Sequence, residues 1–336
     1  MSTLTQPRTR TALVVLGLAL LLAALFLAPF YVPLYYMSIV TRIVIIGGFA
    51  VAFNIVFGLG GMPSLGHAAF FGLGGYVVGL GVTRWDWGLG TILLGVVVVG
   101  AGLGLVLGIL CQRVNGIYLL LMTLAVGQAI YGLVFQNARI TGGDMGISGA
   151  FRDVLPFEIA SRQQFHQFAV IVCVAVMALL WLFMLSPMGR AIVGLRESES
   201  RMGSLGYNPG IYKAAAFVVS GLACAFLGAL YALQRGYVGT DGLEWTLSAT
   251  VLLAAIVGGS RYFLGPFIGV AVIIAIEAFF QEYTERYTTI LGIFYILTIL
   301  VLPNGILGIG RDRKPPSDEP TTLDDHARPT EREAVS

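Results

Sequence analysis

Charge is scarce in this chain and placed where a water-facing fold cannot use it. Of its 20 Lys and Arg and 18 Asp and Glu, 12 lie in the last 26 positions, Arg311 to Ser336, leaving 26 for the first 310. Soluble domains carry about 25% charged residues, whereas this chain carries 11% and is 57% hydrophobic. A body of that kind belongs in a bilayer, where each run of about 20 apolar residues makes one helical crossing. The net charge is only +2 and no long basic run tracks a phosphate backbone, so nucleic acid is excluded as a partner.

Charged and turn-like breaks cut the chain into ten apolar pieces: 11 to 32, 38 to 58, 64 to 83, 88 to 111, 116 to 136, 167 to 185, 214 to 234, 246 to 261, 264 to 281 and 288 to 309. The expected fold is all-α, a polytopic integral membrane protein of about ten helices. The piece 64 to 83 is rich in glycine and opens on Pro63, and 246 to 261 is short; both are expected to be broken or re-entrant. Arg8 and Arg10 before the uncharged run Thr11 to Tyr36 imitate a signal peptide, but the run is too long and leads into more apolar sequence, so it reads as a retained first helix. This divides the chain into an N-terminal tail (1 to 10), a membrane domain (11 to 310) and a disordered polar tail (311 to 336).

Lys and Arg counts set the orientation. With the N-terminus in the cytoplasm, eleven basic residues fall on inner connections and seven on outer ones. The two termini are therefore expected in the cytoplasm. Two connections are longer than turns. The external one, 137 to 166, holds the glycine-dense TGGDMGISG (141 to 149), suited to tight bends. In the cytoplasmic one, 186 to 213, Ile192, Leu195, Ser198 or Glu199, Met202 and Leu205 recur at helical spacing, which predicts a short amphipathic helix ending at Gly206, with Pro209 barring its continuation.

Chemistry is mostly excluded by absence. No GxxxxGK[ST] loop, HExxH or GxSxG occurs, and Cys111, Cys173 and Cys224 stand alone in apolar runs, so the chain reads as neither an ATPase nor another enzyme and offers no metal centre. Within the predicted membrane body the ionisable residues are almost confined to Arg42, His67 and Glu277, too few for a proton relay. Glu277 reads as a polar contact between helices or, less economically, as a functional carboxylate. The densest signal is NIVFGLGGMPSLGHAAFFGLGGY, residues 54 to 76. Its glycines suit close helix packing, while Asn54, Ser64 and His67 need either partners or a water-filled path at bilayer depth. These three are the candidate translocation-path residues, beside a helix expected to begin at Pro63.

FGLGGMPSLGHAAFFGLGGY (57 to 76) resembles the GxxGxxSLGHAAFFGIGAY signature of LivM-type permease subunits of branched-chain amino acid ABC transporters. Further blocks match in the same order: TGGDMGISG is similar to TGGxxGL, residues 186 to 232 to a cytoplasmic SxxGRALRAIRExE block, 251 to 273 to GGxGxxxGPxxGA, and YILTILVLPNGILGI (295 to 309) to LxxLPxGLxG. The chain departs from the family at Arg201, Met202 and Gly203, where small and acidic residues are usual, and at Met145, where a polar residue is.

The resemblance implies a permease subunit of an ATP-binding cassette importer for branched-chain or related small amino acids, sited in the inner membrane of a prokaryote. Related permeases for urea and short-chain amides share the SLGH block and are the alternative; a stand-alone secondary transporter or an exporter permease is a more distant one. It implies no cofactor in this chain, with ATP bound by separate ATPase subunits, and as partners a second, LivH-like permease, those ATPases, an external solute-binding protein and the lipid bilayer. Movement of solute would be by alternating access. Loop 186 to 213 would be the coupling element seated in an ATPase cleft, with Arg190, Arg196, Glu197, Glu199, Leu205 and Gly206 as its contact residues.

Overall fold

A computed structural model describes residues 33–156, 161–284, 286–302 and 305–308, with 26, 27, 31 and 159. The two predicted tails and nearly all of the predicted span 11 to 32 lie outside the described residues. Each of the other nine predicted spans coincides with a helix. In chain order these are α1 (Leu34–Asn54), α2 (His67–Thr83), α3 (Leu89–Leu110), α4 (Gly116–Gln136), α5 (Arg162–Leu185), α8 (Pro209–Arg235), α9 (Trp245–Gly258), α10 (Gly265–Gln281) and α11 (Tyr287–Val301), with α6 (Pro187–Glu197) and α7 (Glu199–Ser204) between α5 and α8. Six of the described segments are long and apolar enough to cross a membrane, and α2, α9 and α10 are shorter apolar helices. The chain is an all-α, multi-pass membrane protein.

The connections alternate between two ends. At one end the segment 137–156 lies over the C-terminus of α8, pairing Ile147–Ser148 with Tyr237–Val238 in a two-residue antiparallel ribbon. Arg152 fixes the same junction by donating to the carbonyls of Leu233 and Gln234 at 3.1 and 3.0 Å, satisfying two groups that the helix end leaves open. The other end carries α6 and α7.

Helix α8 is the axis of the bundle, with α1, α2 and α3 packed around it. Without a hydrophobic force between helices in lipid, close approach of small residues supplies the contact. Gly100, Gly104 and Gly108 recur every fourth residue along α3, and a side chain on any of them would strike the α8 backbone at Leu222, Val218 or Ala214. Gly74 of α2 lies against the Ala225 carbonyl, and Gly228 of α8 against that of Phe71. The three cysteines are buried and free, as packing residues.

Several boundaries differ from the sequence reading. Helix α2 begins at His67 and not at Pro63, because Gly60 to Gly66 run as coil. Helix α5 begins at Arg162, where Ser161 and Gln164 form a reciprocal capping box. Pro209 starts α8 instead of stopping a helix: it stands in the first turn, with the Asn208 side chain accepting from the Gly210 N–H. The predicted single helix from Ile192 to Gly206 is two. Ser198 is extended and its hydroxyl accepts from the Arg201 N–H, so it ends α6 and caps α7.

Candidate functional site

The chain is interrupted at the glycine-rich stretch that carries Asn54, Ser64 and His67. Helix α1 passes into a single π-turn, Ile55–Leu59, and then into coil, with Gly61 at φ +70°. Wide turns of this kind break the regular ladder. Helix α2 resumes deep in the bundle, since His67 meets Ser220 near the middle of the 27-residue α8.

Backbone groups exposed by such a break must find partners inside the protein, and three other helices supply them. The Ser248 hydroxyl of α9 accepts from the Ala68 N–H at 2.7 Å, capping α2 where its own N-cap residue, Gly66, has no side chain. Thr123 of α4 accepts from the Leu65 N–H at 3.1 Å. Asn54 donates from its amide to the Ser260 and Tyr262 carbonyls, fastening the end of α1 to the α9–α10 turn.

His67 closes the remaining gap. It is 0% exposed, edge-on to Phe53 and beside Phe70 and Phe217. Ser220 lies 2.7 Å from the Ala52 carbonyl, to which its hydroxyl must donate. Its oxygen is then an acceptor for Nε2–H of His67 at 3.2 Å, which leaves Nδ1 to accept from the Ser64 hydroxyl at 2.9 Å. For a neutral ring these bonds select the Nε2–H tautomer, in a chain running from Ser64 through His67 and Ser220 to the α1 backbone. Ser64 and His67 are brought together; Asn54 serves a different turn. Ser220, Ser248 and Thr123 were not singled out from sequence, because a lone hydroxyl in an apolar run carries no local signature of a partner well over 50 residues away.

The second cluster lies at the α6–α7 end. Lys213 is buried in the first turns of α8 and donates at 2.7 Å to both Glu199 and Asn115, while Asn115 donates to the other oxygen of Glu199. This three-way latch clamps α7 to the α3–α4 connection. Arg196 donates to the carbonyl of Gly58 in the π-turn, and its stem packs on Gly61. Burial and the nearby Arg261 hold its pKa below the usual arginine value.

Glu199 is thus half-buried and Arg196, though exposed overall, turns its guanidinium inward to the Gly58 carbonyl, while Arg190, Glu197, Leu205 and Gly206 are exposed. At this end Leu205 is 67% and Ile211 57% exposed, and the apolar side chains of Met188 and Tyr207 are exposed as well. Glu277 pairs with Arg42 at 3.2 Å across α1 and α10, which is the contact between helices. No cluster of metal-binding side chains occurs among the described residues.

A bundle of membrane-length helices with an internally capped break and an exposed helix pair at one end has the build of a transport subunit. The chain belongs to the family described as branched-chain amino acid transport system, permease component, whose profile matches residues 35–302. It is 28% identical over 307 residues to the high-affinity branched-chain amino acid transport system permease protein LivM of Salmonella typhimurium, covering 84% of this chain and 72% of that one. The LivM of Escherichia coli is 28% identical over 334 residues, with 92% and 77% covered. LivH of Salmonella typhimurium is 23% identical over 284 residues, with 77% and 90% covered. No solved structure matches the chain.

Proposed function

We propose that the protein is the LivM-like subunit of an ABC importer, moving branched-chain or similar small amino acids by alternating access with a LivH-like permease, two ATPases and an external binding protein. The observation that carries this reading is the family match across residues 35–302 in a chain of membrane-length apolar helices. The α6–α7 end faces the cytoplasm and both termini lie there, in the inner membrane. ATP is hydrolysed by the partner ATPases and not by this chain.

The exposed apolar side chains of Leu205 and Ile211 enter the ATPase cleft, with Arg190, Glu197 and Gly206 as further contacts. Glu199 holds α7 in place for this contact, so its part in coupling is through the Lys213 latch. Arg196 carries the movement onward, because its guanidinium is bonded to the π-turn that leads into the break. Ser64 and His67 border the path and are sealed in this conformation; Asn54 anchors the wall behind them. A shift of two packed arrangements, not a continuous deformation, opens them. Reconstituting the chain with its partners in vesicles tests the reading: leucine uptake that requires ATP and the binding protein is expected. Uptake by the chain alone on a proton or sodium gradient would overturn it.

A further inference from the structure

At the end opposite α6 and α7, a cavity of about 470 Å³ opens where α1, α5 and α8 meet the turn Phe151–Val154. Three guanidinium side chains, Arg152, Arg162 and Arg235, line it. Among the described residues one carboxylate pairs with them: Asp241, 2.6 Å from Arg235. Arg152 gives its Nε–H and an Nη2–H to carbonyls, which leaves Nη1 without a bond among the described residues, and lies 4.4 Å over the ring of Phe165. Arg162 makes no hydrogen bond or ion pair among the described residues. Burial and the charge of Arg162 together hold the pKa of Arg152 below its usual value, and no ion pair joins either of the two to a carboxylate among the described residues.

Two further features narrow the ligand. Gln234, also on the wall, donates its amide N–H to the Ser38 carbonyl, while its side-chain oxygen is buried with no donor among the described residues. Met37 and Phe165, 1% and 2% exposed, make part of the lining apolar. A cavity of this size falls within the range that holds a small organic molecule. Guanidinium forks suit a carboxylate, an unpaired amide oxygen suits an ammonium, and the apolar wall suits an aliphatic side chain.

We infer that this vestibule receives the solute as a zwitterion, its carboxylate held by Arg152 and Arg162 and its ammonium turned toward Gln234. The inference rests on the reading of the chain as an amino acid permease and assigns the residues that first select for an α-amino acid. Arg235, braced by Asp241 and flanked by Tyr231 and Tyr237, forms the third side of the site.

Equilibrium binding to the full chain in phosphatidylcholine nanodiscs tests it, with L-leucine, L-leucinamide (no carboxylate) and 4-methylpentanoate (no ammonium) as probes. Leucine is expected to bind at least about tenfold more tightly than either probe, the loss of one charge-assisted contact. Arg162→Gln should weaken leucine about tenfold and leave leucinamide unchanged, and Arg162→Lys should recover part of the loss. Because Arg162 makes no hydrogen bond or ion pair among the described residues, the variants are expected to keep the fold, which circular dichroism and detergent size-exclusion chromatography check. Equal binding of leucine and leucinamide, an unchanged Arg162→Gln variant, or absence of leucine binding at millimolar concentration would overturn the inference. So would displacement of leucine by phosphatidylglycerol in the discs, which would mark a lipid phosphate site. ATP-driven leucine uptake by the reconstituted wild type separates the two failures: if uptake is normal, only the vestibule assignment falls, and if no amino acid is imported, the permease reading falls with it.

Discussion

The helix break around His67 and the helix pair α6–α7 are both interruptions of the bundle, yet they are finished in opposite ways. At the break every group named above except the Asn54 side-chain oxygen has a partner, and the imidazole is fully enclosed. At the helix pair the inward side is latched through Glu199 and Arg196, while Leu205 and Ile211 stand in the open. The first arrangement stores a conformation and the second offers a handle. Arg196 is the bond that joins them. Substitutions should accordingly damage stability at one site and partnership at the other.

The strongest way to break the closed region is to push its helices apart. Gly74→Leu places a side chain against the Ala225 carbonyl, and backbone cannot yield as a flexible side chain does. Little folded protein should elute as a monodisperse peak in detergent size-exclusion chromatography, whereas Gly102→Leu, a position with open space, should elute normally.

His67→Ala comes next. It leaves Ser64 and Ser220 without the ring between them and opens a cavity among three phenylalanines. The expected loss is about 2–4 kcal/mol, chiefly from the cavity, since a hydrogen bond between membrane helices averages only about 0.6 kcal/mol. Unfolding in a denaturing detergent series would measure it, and a loss below about 0.5 kcal/mol would show the ring to be dispensable for the packing.

At the open region the same measurement should hardly move. Leu205→Ala is expected to change stability by less than about 0.5 kcal/mol, as for other exposed positions, while lowering ATPase co-purification several-fold. Lys213→Met lies between the two, because it frees Glu199 and α7 from the bundle. A loss of about 1 kcal/mol is expected, modest because Glu199 is partly solvated. ATPase binding in that variant should weaken without disappearing.

The same contrast explains what the sequence discloses. Apolar runs marked nine of the described helices because a membrane crossing is written locally, one residue after another. The helical spacing of Ile192, Leu195, Met202 and Leu205 marked α6–α7 as helical for the same reason, but not its outward face: Ile192 and Leu195 are buried against the bundle and Leu205 alone of the four is open. The cut at Ser198 was not, since Met202 and Leu205 keep the apolar rhythm across it; the Ser–Glu–Ser–Arg cap was the available sign. The partners of the break came from α4, α8 and α9, and a serine such as Ser220 looks like any small packing residue until the fold brings it to His67. The Lys213–Glu199–Asn115 latch hid in the same way, because Lys213 and Glu199 stand apart in the sequence as loop charges and Asn115 is a neutral amide 98 residues before Lys213.

The account stands on Arg196 transmitting movement from the ATPase contact to the break. The direct measurement places a cysteine at Ser64 in a chain lacking Cys111, Cys173 and Cys224, assembled with its partners, and follows labelling by a small water-soluble thiol reagent with and without ATP. Labelling that rises with ATP, and that is lost in Arg196→Ala while the ATPases still co-purify, is the predicted result. Labelling that responds to ATP equally well without the Arg196 side chain, or a Ser64 position protected in every state of a transporting complex, would contradict it.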